Sequence, residues 1–211
     1  MVNLLRAALL LLLSVPLAGR EWIEYASKTD FFTVNFPGQP TVTDITYMTE
    51  YGLTLPARVH SYVDGPNRYS VTMVDYTKAE SLHAEVAKKC QDAGGDGDQC
   101  FYHGKDEVRG AIVYATAAFL ERDAKVTHYA NYTADLVEGH RLQLTNADRS
   151  RTFAVIHMHE LRLYILEGTV APGAPPPALF QQSLGFLDKD GKRIRYETTY
   201  SQGFPVPRRT R

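Results

Sequence analysis

Apolar residues recur at every second position over long stretches of this chain, the spacing of a β-strand whose successive side chains point to opposite faces. Glu21–Ser27, Phe31–Phe36, Thr41–Met48, Leu55–Val63 and Arg68–Tyr76 read as strands on this basis. Pro37-Gly38 ends the second. Asp64-Gly65-Pro66-Asn67 joins the last two, because Gly and Asn tolerate positive φ and Pro fixes its own. After Tyr76 the period changes. Thr77 and Glu80 form a T-x-x-E capping box, Leu82, Val86 and Cys90 follow at four-residue steps as one apolar stripe, and Ala93-Gly94-Gly95 ends the helix. A second helix is predicted over Lys105–Arg122, with Val108, Ile112, Ala115 and Phe119 on one face, although Ala111–Phe119 (AIVYATAAF) could also form a buried strand. From Lys125 period two returns, giving strands Lys125–Leu136, His140–Thr145, Thr152–Met158 and Leu161–Thr169. Glu138-Gly139 and Asn146-Ala147-Asp148 are the first two turns. The hairpin within Arg151–Val170 is apolar on both faces, which predicts a place in the middle of a sheet covered on both sides. A Pro-rich connector then leads to a helix over Ala178–Phe186, and Arg193–Thr199 reads as an edge strand.

Strands, helices, strands and a helix in that order predict an α+β fold with a mainly antiparallel β-sheet covered by helices. With no internal repeat and no linker, residues 20–199 read as a single domain, followed by a flexible basic tail at 200–211. Residues 1–19 read as a signal peptide. Met1–Arg6 carries one positive charge, Ala7–Leu13 is an unbroken apolar run, Pro16 breaks it, and Ala18 and Gly19 are small enough for a signal peptidase. The run is shorter than the roughly 20 residues a spanning helix needs, and no later segment reads as transmembrane. The expected location is therefore the periplasm or the secreted space. There the two cysteines, Cys90 and Cys100, are expected to form a disulfide, at a spacing unlike that of a redox-active pair. At 44% hydrophobic and 22% charged residues the chain can bury a core, and a net charge of −1 provides no field for nucleic acid.

The segment Phe32-x-Val34-x-Phe36-Pro37, close behind the exported N-terminus, resembles the entry strand of the Mog1/PsbP-like superfamily. Phe180-x-x-Ser183-x-x-Phe186, after a long antiparallel sheet, resembles its late helix. The chain is also similar to small exported proteobacterial proteins with no assigned role. The superfamily resemblance implies an α/β/α sandwich and a mostly non-catalytic accessory or assembly role in larger complexes. It transfers no active-site residue.

Candidate chemistry is sparse. His157 and His159 share a strand face and could share a metal ion, although zinc needs a third ligand; otherwise they are a polar stripe at a hairpin end. Asp92, Asp96 and Asp98 offer oxygens suited to Ca²⁺. Phe101, however, stands where an EF-hand loop needs Gly, and Cys100 at a ligand position, so a solvated loop is the alternative. No nucleophile elbow, zinc-protease or phosphate-loop motif occurs. Lys192, Arg193, Arg195, Arg208, Arg209 and Arg211 make the C-terminus basic, for contact with anionic lipid or an acidic partner, or simply for water. Tyr47, Tyr51, Tyr62, Tyr69, Tyr76, Tyr129 and Tyr132 could form one aromatic sheet face or pack beneath the helices. The expected function is a non-enzymatic periplasmic binding or accessory module for a protein or envelope component, without a cofactor. The alternatives are a periplasmic metal-binding protein or an enzyme whose site assembles from distant residues.

Overall fold

The computed structural model describes residues 22–97 and 99–201. Five strands open it: β1 (Ile23–Ser27), β2 (Phe32–Phe36), β3 (Thr41–Met48), β4 (Thr54–Asp64) and β5 (Asn67–Asp75). A helical hairpin follows, α1 (Ala79–Asp92) and α2 (Gly104–Leu120). Then come β6 (Ala124–Ala134), β7 (Val137–Asn146), β8 (Arg151–His159), β9 (Arg162–Val170), α3 (Ala178–Gln181) and β10 (Gly185–Phe186). Seven strands form one antiparallel sheet in the order β3-β4-β5-β9-β8-β7-β6, while β1, β2 and β10 form a small second sheet. The β8–β9 hairpin lies inside the large sheet, as its pattern predicts. Ala154, Ile156, Met158 and Leu163 meet the helical hairpin, whereas Val155, Tyr164 and Leu166 meet the small sheet and Phe180 of α3.

The fold is thus α+β and mainly antiparallel, but only one face is covered by long helices. The helix expected over Ala178–Phe186 stops at Gln181. Ser183 accepts the Asn35 N–H on its hydroxyl at 2.7 Å, and Gly185 and Phe186 pair with Thr33 and Phe32, so Phe186 enters the core from a strand. The edge strand expected at Arg193–Thr199 does not form. Single bridges hold that segment, Leu187 to Arg193 and Val137 to Tyr200.

The helix starts and stripes also differ. No side chain caps α1; the Thr77 amide donates to Asp75 Oδ1 at 2.9 Å instead of closing a box with Glu80. The buried stripe of α1 is Ala79, His83 and Ala87, and Val86 is 55% exposed. The helix is rotated because His83 bonds Glu107, which α2 buries against it, at 2.6 Å.

The β6–β7 turn is Asp135-Leu136, with φ of +48° and +64°, and not Glu138-Gly139. Gly139 lies within β7, where a Cβ would stand 2.1 Å from the Ile156 carbonyl and 2.4 Å from His157 Nδ1. The β8–β9 turn likewise uses Glu160 and Leu161 at +46° and +59°. Left-handed backbone at non-glycine residues is unfavourable, so these turns need outside support. Tyr200 supplies it. Its amide donates to Leu136 O at 2.8 Å, its carbonyl accepts from the Glu138 amide at 3.0 Å, and its hydroxyl accepts from the Glu160 amide at 3.2 Å. Arg193 and Arg195 both bind Asp135. Two cations expected to face solvent, and a tyrosine expected to begin the free tail, therefore clamp the hairpin ends. Arg208, Arg209 and Arg211 lie outside the described residues.

Cys90 and Cys100 are bonded, with Cα atoms 5.5 Å apart, and tie the end of α1 to the loop before α2. Replacing both by Ser is expected to lower stability by up to about 3 kcal/mol by lengthening the unfolded chain's accessible loop, a drop of roughly 5–10 °C in Tm. Calorimetry of the double variant reads it directly; an unchanged Tm would show that the constraint contributes nothing.

Candidate functional site

Helix α2 crosses β7, β8 and β9 and leaves the helix-side face of β6 open. A groove of about 520 Å³ lies between them. On α2, Arg109, Ile112 and Val113 line it, one helical face by their three- and four-residue spacing. On the sheet, Asn131 stands opposite His140 and Thr133 opposite Glu138, so these four side chains share that face. Arg109 also lines a neighbouring 280 Å³ cavity with Val108, Met158, Leu161 and Tyr200. It thus stands between the two.

The groove carries both signs of charge, in Arg109 and Glu138, above an apolar wall. His140 is oriented from behind. The Thr116 hydroxyl donates its one hydrogen to Ile112 O at 2.7 Å, so it accepts from His140 Nδ1 at 2.8 Å. Nε2 is left as an acceptor. Burial lowers the His140 pKa below its ordinary value, which keeps the ring neutral at pH 7. A cation on α2, and an anion, a neutral acceptor, an amide and a hydroxyl on the facing β6–β7 pair, suit a ligand with distributed polar groups, such as an extended peptide.

Of the candidate binding residues singled out from the sequence, Tyr132 lines the groove and the others do not. His157 and His159 do share a face, but both are fully buried against the small sheet, because their strand is central. His159 does end β8 beside the Glu160-Leu161 turn, but the two rings belong to the core. His157 Nδ1 donates to Glu138 O at 3.2 Å, and His159 Nε2 lies 2.6 Å from the Tyr196 hydroxyl. Among the described residues no three His, Cys, Asp or Glu are placed to hold a metal ion. Asp96 is exposed and shapes its loop, taking the Gln99 amide on Oδ1 at 3.0 Å and the Cys100 amide on its carbonyl at 2.9 Å. Asp98 lies outside the described residues. The tyrosines form no single face: Tyr47 and Tyr76 lie under the helices, Tyr62, Tyr69 and Tyr132 on the other side, and Tyr51 and Tyr129 are exposed.

Two buried carboxylate–imidazole pairs escaped the sequence, since their partners are 30 and 24 residues apart: Asp30–His60 at 2.7 Å and Glu107–His83 at 2.6 Å. Neither presents an activated nucleophile. The Ser27 hydroxyl bonds Asp30 at 3.1 Å and not His60. The Tyr25 hydroxyl lies 3.0 Å from His60 Nδ1, but burial, reinforced by the Asp30 charge, raises its pKa, so the phenol stays protonated. No helix among the described residues is long and apolar enough to cross a membrane. Compared with known proteins, the chain matches no family model, no curated protein and no solved structure.

Proposed function

We propose that the protein is an exported, non-enzymatic binding module, and that the groove between α2 and the β6–β7 pair receives an extended segment of an envelope protein. The groove carries this reading: Glu138 and the oriented, neutral His140 stand on an open strand face, opposite Arg109, Ile112 and Val113 of α2. The Cys90–Cys100 disulfide is compatible with the oxidising compartment this role needs. A Mog1/PsbP-like relationship belongs to the same proposal. The helical hairpin on one face of a large antiparallel sheet supports it, and the small sheet with its single-turn α3 on the other face departs from an α/β/α sandwich.

The test is capture of the chain from residue 20 onward in envelope extract, beside Arg109→Glu, Val113→Asp and a control, Val63→Asp, at an exposed position of β4. One enriched partner is expected. Its retention should fall about tenfold or more in each groove variant, the loss of one good interface anchor, and stay unchanged in the control. A partner held equally by all four proteins would place the contact elsewhere, and no partner at all would remove the reading.

A further inference from the structure

We propose that β3 is a self-association edge, through which two copies pair antiparallel and join their large sheets into one. β3 is the outer strand of its sheet, and its eight residues pair with β4 in unbroken register from Thr41–Ser61 to Met48–Thr54. Among the described residues no strand pairs with its other side. Its outward row of amides and carbonyls is a template for a further strand, and proteins usually blunt such edges with Lys, Pro or a bulge. The far edge of the sheet is blunted in this way: β6 carries Lys125 and a register shift between Val126 and His128. β3 has none of these devices. It holds one charge, Asp44, and exposes Val42 by 50%, Ile45 by 39% and Met48 by 59%.

The strand is complementary to itself, which identifies the occupant as a second copy. A two-fold axis normal to the sheet keeps both helical layers on one side, and residues that face each other must then share a face, so their numbers are both odd or both even. Centring the pair on Asp44 would set two carboxylates opposite each other. Centring it on Ile45 sets Ile45 against Ile45, Val42 against Met48, Thr43 against Tyr47 and Asp44 against Thr46. Every exposed apolar side chain of the strand then meets an apolar partner, and no like charges oppose. An eight-residue strand is about 27 Å long, and such a seam covers on the order of 500 Å² per copy, below the usual stable interface. The dimer is therefore expected to form in the micromolar range. The proposal does not depend on the groove.

Sedimentation of the chain from residue 20 onward, over about 1–500 μM, reads the association. A monomer–dimer equilibrium is expected, weakened at least tenfold by Ile45→Lys and unchanged by Val126→Lys on β6. Both native cysteines are paired, so one introduced thiol reports the register. Oxidised Ile45→Cys should cross-link between copies, because opposed Cβ atoms lie about 4.5–5.5 Å apart, whereas Asp44→Cys should not. A monomer at every concentration, a dimer indifferent to Ile45→Lys, or faster cross-linking at Asp44→Cys would each overturn the proposal.

Discussion

Lowering the pH from 6.5 to 4 is expected to cost the folded protein about 3 kcal/mol through one side chain, His157. The ring is fully buried between Tyr132 and Phe186, and its Nε2 has no hydrogen-bond partner among the described residues. Burial lowers its pKa to about 4, against the opposing pull of the backbone hydrogen bonds of Glu138 and Val137. Above pH 6.5 neither the folded nor the unfolded chain protonates this residue, and stability is independent of it. Between 6.5 and 4 only the unfolded chain takes the proton, so stability falls as pH falls, by about 1.4 kcal/mol per pH unit. His140, lowered in the same direction by burial, adds to the slope with the same sign. Urea unfolding at a series of pH values measures it. In His157→Gln, whose amide can still donate toward Glu138 O, the slope should flatten even if stability at pH 7 drops. A wild-type slope surviving in that variant would assign the acid sensitivity to other groups.

His157 also shows why part of this molecule was legible in its sequence and part was not. That β8 and β9 are central follows from local pattern, since a run apolar on both faces has to be covered on both. The same pattern, taken fully, would have buried His157 and His159, which alternate with Ala154, Ile156 and Met158 in a strand with no solvent side. The turn at Asp64–Asn67 was legible because its chemistry is local, with Gly65 at φ +58°. The turn at Asp135-Leu136 was not, because its strained backbone is held by Tyr200, Arg193 and Arg195 from the far end of the chain. Gly139 misled for a related reason: it serves the packing of His157 and Ile156, not a turn. Helix positions were found, but the buried face of α1 was misplaced because the Glu107–His83 pair outweighs the apolar stripe. The groove was illegible for the same reason. Arg109, Glu138 and His140 are ordinary residues singly, and only the crossing of α2 over the sheet brings them together.

The largest single-residue effect is expected at Asp30, where replacement by Ala should cost about 3–5 kcal/mol, the usual result of stripping one partner from a buried ionic cluster. Its carboxylate is almost fully buried and accepts from Arg58 Nε at 2.8 Å, from Arg58 Nη2, from His60 Nε2 at 2.7 Å and from the Ser27 hydroxyl at 3.1 Å. Its backbone carbonyl accepts from the Tyr164 hydroxyl at 2.8 Å. One residue in the β1–β2 turn thus ties the small sheet to β4 and β9 of the large one. Burial pushes its pKa up, but the hydrogen bonds of His60 and Arg58 and the Arg58 charge outweigh this and hold it below the usual carboxylate value. Its contribution is therefore fully present at neutral pH and is lost only as pH falls below the ordinary carboxylate range, lower than the window of His157. Asp30→Ala would leave the Arg58 and His60 donors facing no acceptor, whereas Asp30→Asn keeps the shape and one acceptor and should cost roughly half as much. Because the cluster acts as a unit, Asp30→Ala combined with His60→Gln should lose less than the sum of the two single variants. Urea midpoints at pH 7 of the four variants, His60→Gln alone included, measure these losses. A loss under about 1 kcal/mol in Asp30→Ala would mean that Phe32, Val34 and Phe36 hold the small sheet in place by packing alone, with the ionic cluster adding only orientation.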